Sequence, residues 1–199
     1  MGRTPVDKVR SSNSGKQKNI IDALEPHYMA KGIKAISAED MCEITKKSKA
    51  TIYKYFDSRK EIIQQILLSK IESLTQFHTV LFNHELDYLN RYKLAVTIAT
   101  ESVQDISSIF LSDLSELFPD LFEQIVNLKK MSIDLLKQFY TEGIQDGAFI
   151  DVSPDVLALN DELFFDAIVN PEFLRNRNLN LKEAFDGYFK IRFEGIIRK

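Results

Sequence analysis

The chain has 199 residues, 44% of them hydrophobic, with one cysteine and a formal net charge of −3. That length suits one large or two modest domains with a real core; a lone cysteine excludes an intrachain disulfide framework, and no apolar run approaches the roughly 18 residues of a membrane span. The charge is divided: residues 1–60 carry 13 Lys/Arg against 7 Asp/Glu, and residues 61–199 carry 13 against 22, so a basic head on an acidic body suits a polyanion at one end only.

Residues 1–15 lack apolar periodicity and read as a mobile arm, whose Arg3, Lys8 and Arg10 could touch phosphates. There is no apolar leader, and Cys42 reads as a small buried hydrophobe, so a cytoplasmic location is expected. The first helix is predicted over 16–30, on the spacing of Ile20, Ile21, Leu24 and Tyr28. Pro26 predicts a kink in it, or two short helices. Lys31-Gly32 ends it, with glycine as the C-terminal stop. Ser37 and Asp40 are spaced as a capping box for a second helix over 38–45, and a third follows over 49–55.

A long fourth helix starts at Asp57 or Ser58 and runs to Phe82, with Ile62, Ile63, Ile66, Leu67, Ile71, Leu74 and Phe77 as its stripe. No Gly/Pro-rich linker separates it from the head, which implies rigid coupling. Further helices are predicted over 86–106, 107–117 and 119–147. Ser153-Pro154-Asp155 starts an eighth that ends near Asn170, before Pro171, and a ninth runs from Leu181. The fold class is all-α with about nine helices: an arm (1–15), an N-terminal three-helix helix-turn-helix domain (16–57), and a C-terminal helical bundle (58–199).

The third helix carries the chemistry. Ile52 and Phe56, four residues apart, share one face, while Lys49, Ala50, Tyr53 and Lys54 share the other. A short helix with an apolar back and a basic, aromatic front can enter a major groove. Lys49 could hydrogen-bond a guanine edge, and the Ala50 and Thr51 methyls could pack on thymine. Ser48 belongs to the same candidate face, and Ser37 and Lys18 are weaker phosphate candidates.

The run DMCEITKKSKATIYKYFDSRKEII resembles the DNA-binding segment of the TetR-type transcriptional repressors. Asp40, Met41, Cys42, Thr45, Ser48, Thr51, Ile52, Tyr53, Tyr55, Phe56, Ser58, Lys60 and Glu61 match that pattern by identity or by size. The specific part is T-I-Y-K-Y-F followed by S-x-K-E. Where such proteins have Gly-Val in the turn, this chain has Lys46-Lys47. The resemblance implies that the Tyr53 and Tyr55 hydroxyls and Lys60 hold phosphates of double-stranded operator DNA. It implies an effector cavity among helices four to eight, and an apolar or amphipathic small molecule in it. Tyr92, Glu101, Asp105, Asn127, Tyr140, Asp161 and Asp166 are its candidate polar contacts.

The last two helices are rich in aromatic residues: Phe164, Phe165, Ile168, Phe185, Tyr188, Phe189, Phe193 and Ile197. That surplus predicts a homodimer, as four-helix interfaces provide in similar proteins, and a two-fold axis suits two half-sites on one duplex. His27, His78 and His84 lack metal-ligand spacing, and no nucleophile–base pair or phosphate-binding glycine loop appears. No metal, cofactor or enzymatic activity is expected. The resulting expectation is a ligand-responsive transcriptional regulator, a repressor released by its effector. The alternative is an all-helical protein-interaction module with a basic head.

Overall fold

The protein is described over residues 14–196 by a computed structural model. The expectations for residues 1–13, for Ile197 and for the Phe193 side chain lie outside the described residues. Ten α-helices and no β-strand make up the described chain. They are α1 (Ser14–Lys31), α2 (Ala38–Thr45), α3 (Lys49–Tyr55), α4 (Arg59–Leu81), α5 (Tyr88–Val103), α6 (Ser108–Leu117), α7 (Pro119–Gln145), α8 (Pro154–Val169), α9 (Pro171–Asn176) and α10 (Leu181–Ile196).

The count exceeds the expected nine because of α9. Pro171 opens a helix that sequence reading took only as the stop before it. Asn170 caps it by accepting from the Glu172 N–H at 3.0 Å, and proline at the first position gives up no internal hydrogen bond. Pro26 brings a second correction. It lies inside an uninterrupted α1, not at a break between two helices. The residue is exposed, so the Asp22 carbonyl it leaves unpaired can turn to water, while Leu24, Tyr28 and Met29 hold the other face in the core.

Local signals fix the remaining ends. Ser37 and Asp40 form the full capping box, with the Asp40 N–H donating to Ser37 Oγ and the Ser37 N–H to Asp40 Oδ2. Gly32 ends α1 at φ +87°. Ser48, Ser58, Asp87 and Ser107 cap α3, α4, α5 and α6, each accepting from a backbone N–H three residues on.

The helices divide into a small head, α1 to α3, and a body, α5 to α10. α4 belongs to both. At its start, Arg59 Nε donates to Tyr28 Oη of α1 at 3.3 Å, and Ile62, Ile63 and Ile66 are fully buried. Further along, it packs along α5 and α7 inside the body. α6 makes the second junction. The Lys34 N–H donates to the buried Asp113 carboxylate at 2.8 Å, and the Ser107 N–H to the Met29 carbonyl at 3.1 Å. No single helix among the described residues is long and apolar enough to cross a membrane.

Candidate nucleic-acid interface and body cavity

α2 and α3 form the helix-turn-helix. Lys46 closes α2 in the left-handed region at φ +53°, the conformation a glycine would take at less cost. Its N–H bonds to the carbonyls of Cys42 and Glu43, so the turn closes without glycine. Ile52 and Phe56 are almost wholly buried, at 0% and 1% exposure. Lys49, Ala50 and Lys54 are exposed, and Tyr53, Tyr55 and Thr51 are half-buried. The outer surface of α3 is therefore the Lys49, Ala50, Tyr53, Lys54 face.

The surrounding contacts explain why the motif has its residue types. Ser48 caps α3, accepting from the Thr51 N–H at 3.2 Å, and its Oγ lies 2.9 Å from Thr51 Oγ1. Gln17 of α1 donates to the Tyr55 carbonyl at 3.1 Å, which fixes the end of α3 against the first helix. Ser58 accepts from the Glu61 N–H at 3.2 Å, and the Glu61 carboxylate reaches back to the Asp57 N–H. S-x-K-E is thus the start of α4, with Ser58 as its N-cap and Glu61 holding the residue before the cap.

The outlying phosphate candidates are already engaged. Lys60 Nζ sits 2.6 Å from Asp120 in the first turn of α7, and its hydrogen bond holds that carboxyl below the ordinary range. Lys18 pairs with Asp22 one turn along α1 at 2.8 Å. The exposed Ser37 Oγ donates to Asp40 at 2.7 Å.

The body encloses a cavity of about 140 Å³. α4 supplies Leu67, Lys70, Ile71, Leu74, Phe77 and Leu81 to its wall. α5, α6, α7, α8 and α10 contribute the rest, with residues such as Tyr92, Leu111, Leu136, Phe165 and Phe189. Only four lining residues carry polar side-chain groups: Lys70, Tyr92, Lys129 and Ser132.

Of the seven expected polar effector contacts, only Tyr92 lines this cavity. Glu101 and Asn127 lie outside it. Asp105 and Asp166 hold the ammonium groups of Lys70 and Lys129, whose side chains line it. Tyr140 and Asp161 serve a different purpose. The fully buried Asp161 accepts from Tyr140 Oη at 2.8 Å and Tyr188 Oη at 2.5 Å, and Arg192 Nη2 lies 3.3 Å away. Arg192 also donates to the Leu157 carbonyl. Burial raises the Asp161 carboxyl above its ordinary range, against the opposing pull of Arg192 and the two hydroxyls. This network joins α7, α8 and α10 and leaves Asp161 little capacity for a ligand.

The described aromatic residues expected at a dimer interface pack within the protomer. Ile168, Phe185 and Phe189 are buried, and with Phe165 they line the cavity. Phe164 stacks on Tyr188 at 3.9 Å within the protomer, and both are half-buried. The exposed apolar residues of α8 and α10 are Val156, Leu159, Leu163 and Ile191, with Leu163 at 62% and Ile191 at 76% exposure.

Sequence reading missed Lys70 and Lys129, although a signal was present. Lys70 stands three residues after Leu67 and four before Leu74, on the apolar stripe of α4. Lys70 Nζ lies 3.0 Å from Glu25 of α1 and 2.7 Å from Asp105, and its side chain is only 14% exposed. Burial works against its charge, but the hydrogen bonds to Asp105 and Glu25 outweigh it and hold Lys70 above its ordinary value.

No protein-family model matches the sequence, and no curated protein matches it at a significant level. Solved structures do share its fold. The TetR-family regulator PfmR from Thermus thermophilus superposes with a TM-score of 0.65 at 19% identity, over 90% of this chain and 99% of that one. A TetR-family transcriptional regulator from Agrobacterium tumefaciens gives 0.70 at 14% identity, over 93% and 99%. A candidate transcriptional regulator from Saccharomonospora viridis, solved in complex with choline, gives 0.69 at 14% identity, over 94% and 100%. The chain therefore has the all-helical fold of TetR-family transcriptional regulators.

Proposed function

We propose that this protein is a TetR-type, DNA-binding transcriptional regulator that acts as a homodimer and answers to a small effector in its body cavity. The observation that carries this reading is the division of α3. Its apolar side, Ile52 and Phe56, is spent on the core, which leaves Lys49, Ala50, Tyr53 and Lys54 for the major groove. The fold around α3, that of solved TetR-family regulators, supports the same reading. Lys49 reads base edges, Ala50 and Thr51 offer methyl contacts, and Tyr53, Lys54 and Tyr55 take phosphates, with Ser48 beside them. Lys60 joins them once a phosphate competes with Asp120 for its ammonium.

The dimer face is the exposed stripe Val156, Leu159 and Leu163 of α8 beside Ile191 of α10. Large exposed side chains at helical spacing on two neighbouring helices suit burial against the same surface of a second copy. Effector binding shifts α4, whose start is fixed to the head and whose middle walls the cavity. Repression released by the effector follows, because a changed separation of the two α3 helices no longer matches the operator.

Fluorescence-anisotropy titration of the purified chain tests this reading, using DNA from upstream of its own reading frame and a random duplex. We expect preference for the former and an affinity that falls with salt. Lys49→Ala and Tyr53→Ala should each weaken binding by about 1–3 kcal/mol. Equal affinity for both duplexes, or binding untouched by either substitution, overturns the reading.

A further inference from the structure

The four polar residues of the cavity wall all have their polar atoms engaged by the protein itself. Lys70 and Lys129 line the cavity with their hydrocarbon stems, and their side chains are only 14% and 13% exposed. Each ammonium is held by carboxylates that do not line the cavity: Asp166 for Lys129, and Asp105 and Glu25 for Lys70, a cluster that is net negative. Ser132 Oγ donates to the Leu128 carbonyl at 2.8 Å and lies 3.3 Å from His78 Nε2. The Tyr92 hydroxyl engages Tyr140 and Arg192 of the buried network. Every other lining residue is hydrocarbon.

Such a wall selects by exclusion. A charged group entering it sheds its water and meets no counter-charge, because both ammonium groups are already neutralised and no acidic side chain lines the cavity among the described residues. A hydroxyl loses its hydrogen bonds to water without replacement. A hydrocarbon has no such loss and gains contact with leucine, isoleucine and phenylalanine side chains. Volume narrows the choice further. The cavity measures about 140 Å³, close to the roughly 150 Å³ of an engineered cavity, lined by the same residue types, that holds benzene.

We propose that the cavity takes an uncharged, ring-sized hydrocarbon such as a small alkylbenzene, and excludes ligands that carry a charged or hydroxyl-bearing end. Of the apolar and amphipathic effectors that the family resemblance allows, the wall retains the first class and rejects the second. Any consequence at DNA rests on the regulatory reading above, but the ligand chemistry stands apart from it.

The test is calorimetric titration of the full chain with toluene, phenol, benzoate and benzylammonium, which share one ring and differ in polarity and charge. Toluene should bind. Phenol, nearly the same shape, should bind about tenfold or more weakly, and neither ion should bind measurably. Lys129→Met removes an ammonium and keeps a hydrocarbon stem, so it should leave toluene within about twofold and benzoate still unbound. Ala99→Leu adds bulk to the wall from α5 and should weaken toluene about tenfold or more, with helical circular dichroism kept. Leu136→Ala removes bulk from the wall on α7 and carries the test if the first variant fails to fold. It should raise the affinity for naphthalene relative to toluene about threefold or more. Toluene failing to bind, phenol or either ion binding as tightly as toluene, or a folded wall variant leaving these affinities unmoved overturns the proposal. None of these readouts uses DNA. A chain that bound toluene but no operator would overturn the regulatory reading alone.

Discussion

Lys46 occupies a left-handed position at φ +53° that its Cβ disfavours, and the cap it forms on α2 is otherwise complete. Lys46→Gly should therefore raise the unfolding free energy by about 0.5–1 kcal/mol in a urea titration, while Lys46→Ala, which keeps the Cβ, should not. His78 offers a second residue-scale outcome. It sits on α4 with its Nε2 3.3 Å from Ser132 Oγ, and burial lowers its imidazole below the ordinary 6.5. The folded value lies below the unfolded one. Its contribution to stability is therefore present above pH 6.5 and is lost as pH falls through the folded value. Melting temperatures recorded from about pH 7.5 down to pH 5 should fall less steeply in His78→Gln than in the parent chain.

At the junction of α1 with α6, Gly32 combines φ +87° with a close approach: an added Cβ would lie 2.6 Å from both Asp113 Oδ2 and Ile109 Cγ2. Gly32→Ala should cost about 2–4 kcal/mol by chemical denaturation, from strain and overpacking together. Most elements were legible in the sequence, because caps such as Ser37 and Ser58 and the 3.6-residue stripes are local signals. α9 was not, because Pro171 serves both as the end of one helix and the first residue of the next. The inward side of α3 could be read from Ile52 and Phe56 alone. The cavity could not. A helical stripe shows that Phe185 and Phe189 are covered, but the covering surface is a matter of tertiary packing. The outward set, Leu159, Leu163 and Ile191, was passed over for the same reason: the aromatic residues were the stronger apolar signal, and the protomer itself uses them.

On the scale of the whole molecule, the proposed pairing of two copies is the quantity to measure. Leu163→Asp and Ile191→Asp each place a charge on the stripe without touching the protomer core, so each should turn a dimer into a monomer in sedimentation velocity while helical content is kept. Helix α4 runs unbroken from Arg59, against Tyr28, to the cavity wall at Leu81. Every residue added to or deleted from a helix rotates the remainder of that helix by about 100°. An indel between Ile66 and Lys70 would leave each half of the rod intact, yet it would swing the ammonium away from Glu25 and bring solvent-facing side chains into the cavity wall. The length of α4 is therefore under as tight a constraint as its composition, and grafting this head onto another body would succeed only with the helical phase preserved.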